Sequence, residues 1–146
     1  MATRSLIGKK IGDDKYKYIY CHWDGYLSYV GCLLLEHYGE TELEKLFENG
    51  DVSTLGETPE ENVDGWKLGD NTIDKTRYYK TRGETDIEPK IADSKKDLVE
   101  RAWNCGAEYI YIFDDGEWTY CEDFNLSGGK YNLGTFSTLT EERCNY

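Results

Sequence analysis

A chain of 146 residues has the size of one domain and is long enough to bury roughly two-thirds of the surface its unfolded form exposes. Apolar residues make up 38% and aromatics 14%, and 17 Lys and Arg against 29 Asp and Glu leave a net charge of −12. That balance argues against direct binding of DNA or RNA, whose binders gain affinity by replacing counterions with cations, and no run reaches the ~18 apolar residues of a membrane span.

The start, Met1 to Lys10, has no apolar stretch followed by small residues, so export is not expected. The five cysteines (Cys21, Cys32, Cys105, Cys121, Cys144) are odd in number and widely spaced with no C-x-x-C pair, which fits reduced thiols in a cytoplasmic protein. Ser5 to Lys9 and Lys15 to Cys21 read as two strands joined across Ile11-Gly12-Asp13-Asp14, with Tyr16, Tyr18 and Tyr20 alternating at period two. Leu27, Val30, Leu34 and Tyr38 recur at helical spacing, Gly39 suits a left-handed stop, and Thr41 with Glu44 forms a capping box for a second helix through Glu48.

Residues 51–74 are rich in Gly, Asp, Glu and Asn and read as a long loop anchored by Val63 and Trp66. Thr76 to Arg82 reads as a strand with Arg77, Tyr79 and Thr81 on one face, and Ser94 as the N-cap of a helix whose stripe is Leu98, Val99, Ala102, Trp103 and Cys105. Asp114-Asp115-Gly116 joins two strands, Glu108 to Phe113 and Glu117 to Cys121, and Thr135 to Leu139 adds a last one. Ser127-Gly128-Gly129-Lys130 lacks phosphate-loop spacing and reads as a turn. The order predicts one α+β domain over residues 1–146, an antiparallel or mixed sheet with about three helices on one side.

Charge is uneven along the chain. Residues 36–64 carry ten carboxylates, Glu36, Glu40, Glu42, Glu44, Glu48, Asp51, Glu57, Glu60, Glu61 and Asp64, against Lys45 alone. Carboxylates spaced along a helix and loop imitate a run of phosphates for a basic groove, and tyrosines, 13 in this chain, supply interface anchors. The same block also serves simply as a solvated surface.

A second cluster, Lys75 to Arg82, interleaves cations with tyrosines. Arg77, Tyr79 and Arg82, with an aromatic such as Trp23, are an alternative site for a nucleotide-sized anion, although such cations also pair with neighbouring carboxylates. In Tyr20-Cys21-His22-Trp23-Asp24-Gly25-Tyr26, His22 and Asp24 offer acid and base groups, but no nucleophile or oxyanion donor accompanies them. The structural alternative places Tyr20 and Trp23 in the core, Asp24 at a helix cap and a positive φ at Gly25. No cofactor or metal is expected from these spacings.

The run from Ile19 to Tyr26, then Val30-Gly31, Leu34, Glu36-His37-Tyr38, Gly50 to Gly56 and Tyr79 to Glu84, resembles a set of small uncharacterised proteins encoded by bacteriophages and prophages. The likeness covers about the first 85 residues; where that group has Pro after Gly-Tyr, this chain has Leu27. The resemblance implies a phage accessory protein acting in the host cytosol, and proteins of that kind often counter bacterial defence systems by binding them. The leading expectation is a non-catalytic inhibitor that docks an acidic, Tyr-rich surface on a defence protein's basic nucleic-acid groove, such as that of a CRISPR nuclease. The alternatives are a sponge for a nucleotide immune signal and a small enzyme using His22 and Asp24.

Overall fold

The computed structural model describes residues 2–67, 74–128 and 131–144. β1 (Arg4–Gly12) turns through Asp13-Asp14 into β2 (Lys15–Cys21), Asp14 taking a left-handed φ of +50°. Asp reaches that region at small cost because its side chain bonds locally. β1 also lies parallel to β6 (Ala107–Asp114), which returns through Asp115-Gly116 into β7 (Glu117–Cys121). Both turn residues have positive φ, +50° and +81°, the geometry that matches the twist of the flanking strands.

β2 forks along its outer edge. Tyr16 to Tyr18 pair antiparallel with β5 (Lys90–Ala92), whereas Cys21 pairs parallel with Val52 of β3 (Val52–Thr54), which carries β4 (Arg77–Tyr78) outside it. With β8 (Ser137–Thr138) beyond β7, the mixed sheet runs β4-β3-β2-β1-β6-β7-β8.

The predicted α+β domain with a mixed sheet is present, but its helices cover both faces rather than one. Ser5 to Gly8 and Ile110 to Phe113 are continuously buried, so successive residues point into two cores. Ile7, Ile19, Tyr111 and Trp118 pack with α1 (Cys32–His37), α2 (Glu40–Asn49) and α4 (Glu141–Cys144). Leu6, Tyr18, Ile110 and Ile112 pack beneath α3 (Lys95–Asn104) through Leu98, Val99 and Ala102. A strand apolar on alternate sides leaves two faces in water unless each is covered.

Several local expectations shift. The first helix opens as a π turn over Leu27–Gly31 with no side-chain cap before becoming α1. Gly39 is extended (φ −95°) and stands before α2, its N–H donating to the Glu42 carboxylate at 3.0 Å, so the cap sits two residues earlier than Thr41. Of the expected 76–82 strand, Arg77 and Tyr78 form β4 and Thr76 makes an isolated parallel bridge to Glu61. Tyr79–Arg82 then form a 3-10 turn closed by Gly83 at φ +84°. Ser94 caps α3 as expected, accepting from the Asp97 N–H at 3.0 Å, but Trp103 and Cys105 lie off its buried stripe. The turn at 127–130 lies partly outside the described residues.

The tyrosines explain how a loop poor in apolar residues holds its course. Tyr29 donates to the Leu55 carbonyl, Tyr38 to Gly56 (both 2.8 Å) and Tyr78 to Pro59. Thr76, fully buried, donates to Thr58 O at 2.7 Å and accepts from the Gly56 N–H. Ring bodies fill the core while hydroxyls satisfy loop carbonyls that would otherwise be buried unpaired. These tyrosines are therefore structural pins rather than surface anchors.

Candidate functional site

The acidic block lies on α1, α2 and the loop that the tyrosines pin. In α2, Glu40, Glu44 and Glu48 recur every fourth residue and form a row along its exposed side. Glu48 of α2 and Glu60 of the loop both line a groove of about 470 Å³ with Lys45, Asn49, Thr58 and Pro59. Glu36 and Glu57 approach the His37 Nε2 at 3.8 and 3.9 Å, and Glu42 is committed to the α2 cap.

The structure also corrects the idea of an unopposed acidic surface. Lys9 bridges Glu40 and Glu44 (2.8 and 3.3 Å), and its own pKa is raised chiefly by the hydrogen bond to Glu40. Lys75 faces Glu60, Lys80 faces Glu61, which also accepts from Thr81, and Lys67 faces Asp64. Pairing of the 75–82 cations with neighbouring carboxylates is the alternative the sequence offered for them, whereas Lys9, 31 positions before Glu40, gave no such signal. Set against the nine surface carboxylates of the block, Lys9, Lys17 (5.1 Å over the Phe47 ring of α2), Lys45, Lys67, Lys75 and Lys80 leave about three net negative charges. Such exposed pairs are individually worth ~0–1 kcal/mol, so an incoming cation can exchange with them.

Asp51 does not belong to that face. It follows the C-cap of α2 at the fork in β2, where its Oδ1 accepts the Tyr20 N–H at 2.9 Å, a backbone donor lying between the β5 and β3 pairings. Burial pushes its carboxyl up to about 6, opposed by the Tyr20 hydrogen bond and by Lys90. A folded pKa above the unfolded value means the native state gains protons first, so this group's contribution to stability grows as pH falls from about 6 towards 4 and is lost above it. Asp51→Asn keeps the acceptor and removes the charge. Its melting temperature should exceed the parent's at pH 7.5, by on the order of 2 kcal/mol of stability, and the gap should close on acidification. A gap constant across pH 4–8 in thermal denaturation would contradict this assignment.

Arg77, Tyr79 and Arg82 do come together, but around Trp66 rather than Trp23. Arg82 lies 4.1 Å and Arg77 5.3 Å from the Trp66 ring, and Tyr79 packs at 5.6 Å. Arg82 is further held by the Glu84 carboxylate, and the Trp66 indole N–H donates to the Tyr78 carbonyl at 2.9 Å. The cluster closes on itself as a clasp for the loop, its cations stacked on the indole. Trp66 is the residue that sequence reasoning left outside this group, because 11 positions separate it from Arg77.

His22 meets the Tyr20 hydroxyl through Nδ1 at 2.7 Å and packs edge-on against Trp23 (4.8 Å). Its pKa is lowered by burial and by Arg4. Trp23 is 39% exposed rather than in the core, and Asp24, at φ +55°, takes the left-handed position expected of Gly25. Gly25 is needed for a different reason, since a Cβ there would sit 2.8 Å from the Ser5 side chain. Asp24 uses its backbone carbonyl to receive Val30. Among the described residues no group of three or more His, Cys, Asp and Glu is placed to hold a metal ion.

No family model, curated protein or solved structure matches this chain. No helix among the described residues is long and apolar enough to cross a membrane.

Proposed function

We propose that this protein is a non-catalytic binding protein that lays the acidic face of α2 and the 57–64 loop on a partner's basic groove, as a phage-type inhibitor of a bacterial defence effector would. The observation that carries the reading is the row Glu40, Glu44, Glu48, continued across the groove by Glu60. On a helix, steps of four residues rise ~6 Å, close to the ~7 Å rise of two phosphate steps along one DNA strand. Beneath the row, Leu43, Leu46 and Phe47 are buried, so α2 presents it from a fixed platform. The clasp around Trp66 and the pins at Tyr38 and Tyr78 hold the loop half of the face in place, which lowers the ordering cost of binding.

In this reading the protein competes with nucleic acid for the effector rather than binding nucleic acid itself. The test is displacement of a labelled DNA duplex from a CRISPR-type effector, followed by fluorescence anisotropy at low and high salt. Displacement at low salt that fades steeply as the Debye length shrinks from ~30 Å at 0.01 M to ~3 Å at 1 M supports it. Displacement indifferent to salt, or none at low salt, contradicts it.

A further inference from the structure

The fork in β2 opens a cavity of about 380 Å³ on the α3 side of the sheet, lined by Leu6, Tyr18, Tyr20, Asp51, Lys90, Arg101 and Cys105. Its walls divide chemically. Leu6 and Tyr18, from adjacent strands β1 and β2 and almost wholly buried, close the bottom, and the half-buried Tyr20 ring beside them is the aromatic wall a ligand can reach. Lys90 and Arg101 approach from β5 and from the last turn of α3. Arg101 is held by Asp97 at 3.1 Å and the Tyr18 hydroxyl at 3.2 Å, so its guanidinium is oriented before any ligand arrives. Arg4 is a third cation nearby, with its guanidinium against Gly106 and its charge acting on Tyr20, His22 and Cys105. Among the lining residues the one carboxylate is Asp51, which spends one oxygen on the Tyr20 N–H.

An apolar bottom, one accessible aromatic ring, two lining cations and a half-buried acceptor suit a ligand with a planar ring at one end and an anion at the other. The geometry points to this cavity as a binding site for a nucleoside monophosphate, its base against Tyr20 above the buried Leu6 and Tyr18, a base N–H on Asp51, and its phosphate between Lys90 and Arg101. The volume lies within the range of small-ligand sites. Stacking on Tyr and charge-assisted bonds to Arg are the two interactions such a ligand offers in return. The site is separate from the acidic face, and its occupancy does not depend on how that face is used. It also differs from the Arg77, Tyr79, Arg82 cluster, whose cations are already stacked on Trp66.

The ¹⁵N-labelled full chain titrated with AMP, GMP, CMP and UMP, and in parallel with adenosine and with inorganic phosphate, tests this directly. At least one monophosphate is expected to shift the Tyr20, Asp51, Lys90 and Cys105 amides saturably, with adenosine and phosphate alone each at least tenfold weaker. Lys90→Glu, an edge-strand change that leaves both cores intact, is expected to weaken that binding at least tenfold, and Cys105→Trp to abolish it by filling the space. The proposal is overturned if none of the four monophosphates shifts these amides, if the shifts centre on Trp66 instead, or if folded Lys90→Glu binds as the parent does.

Discussion

Gly50→Ala is expected to destabilise the protein by roughly 3 kcal/mol or more. Gly50 has φ +83°, and a Cβ there would lie 2.2 Å from the backbone oxygen of Ile87. That oxygen cannot retreat freely, because it accepts the Asp51 N–H at 2.8 Å. Gly50 also donates to Leu46 and Phe47 to close α2, so the strain falls where the helix hands the chain to β3. Gly83→Ala is the internal control: φ is again positive, at +84°, but nothing lies within 4 Å of the added carbon. It should cost only ~1 kcal/mol. Denaturant midpoints for the two variants measure the difference, and equal losses would mean that the close approach at Gly50 does not matter.

The largest functional effect is expected from removing charge without removing shape. Among the described residues, Glu36, Glu42, Glu48 and Glu57 form no ion pair with a lysine, so replacing these four glutamates with glutamine makes the face less negative without orphaning a lysine, the partners removed being those of His37 alone. In Glu42→Gln the side-chain oxygen still reaches the Gly39 N–H, since glutamine serves in a capping box as glutamate does. The quadruple variant should keep the parent's melting behaviour and lose at least tenfold in affinity for a basic partner, about 1.4 kcal/mol. Most of that loss should appear in the association rate at low salt, because rim charges act by steering. Unchanged displacement of duplex by a folded quadruple variant would remove the acidic face from the account.

The hairpins were legible in the sequence because their signals are local: Asp14, Asp115 and Gly116 occupy the turn positions that need positive φ. The caps at Ser94 and the stop at Gly106 were legible for the same reason. What escaped was set by distant partners. The parallel pairing of β1 with β6 joins residues about a hundred positions apart, and only that pairing shows that both faces of the sheet need helices. The strand expected at 76–82 ends at Tyr78, where the Tyr79–Arg82 turn carries Arg82 and Tyr79 onto Trp66 beside Arg77 of β4, so alternation of cation and tyrosine served a clasp beyond the pleat. Within the acidic block, composition located the carboxylates, but a helix begun at Thr41 left Glu40 outside it, and the row on α2, the pairing of Lys9 and the burial of Asp51 came only with the fold. The cavity beneath the β2 fork has no sequence signature at all, since its lining is drawn from β1, β2, β5, α3 and residues beside them.

Hydrogen–deuterium exchange on the complex with a defence effector stripped of its duplex tests most directly which surface docks. Protection confined to α2 and the 57–64 loop, growing weaker as salt is raised, is the predicted result. Protection that bypasses α2 and falls instead on Trp23 and Tyr26 or on the 79–82 turn would contradict the acidic row as the docking surface.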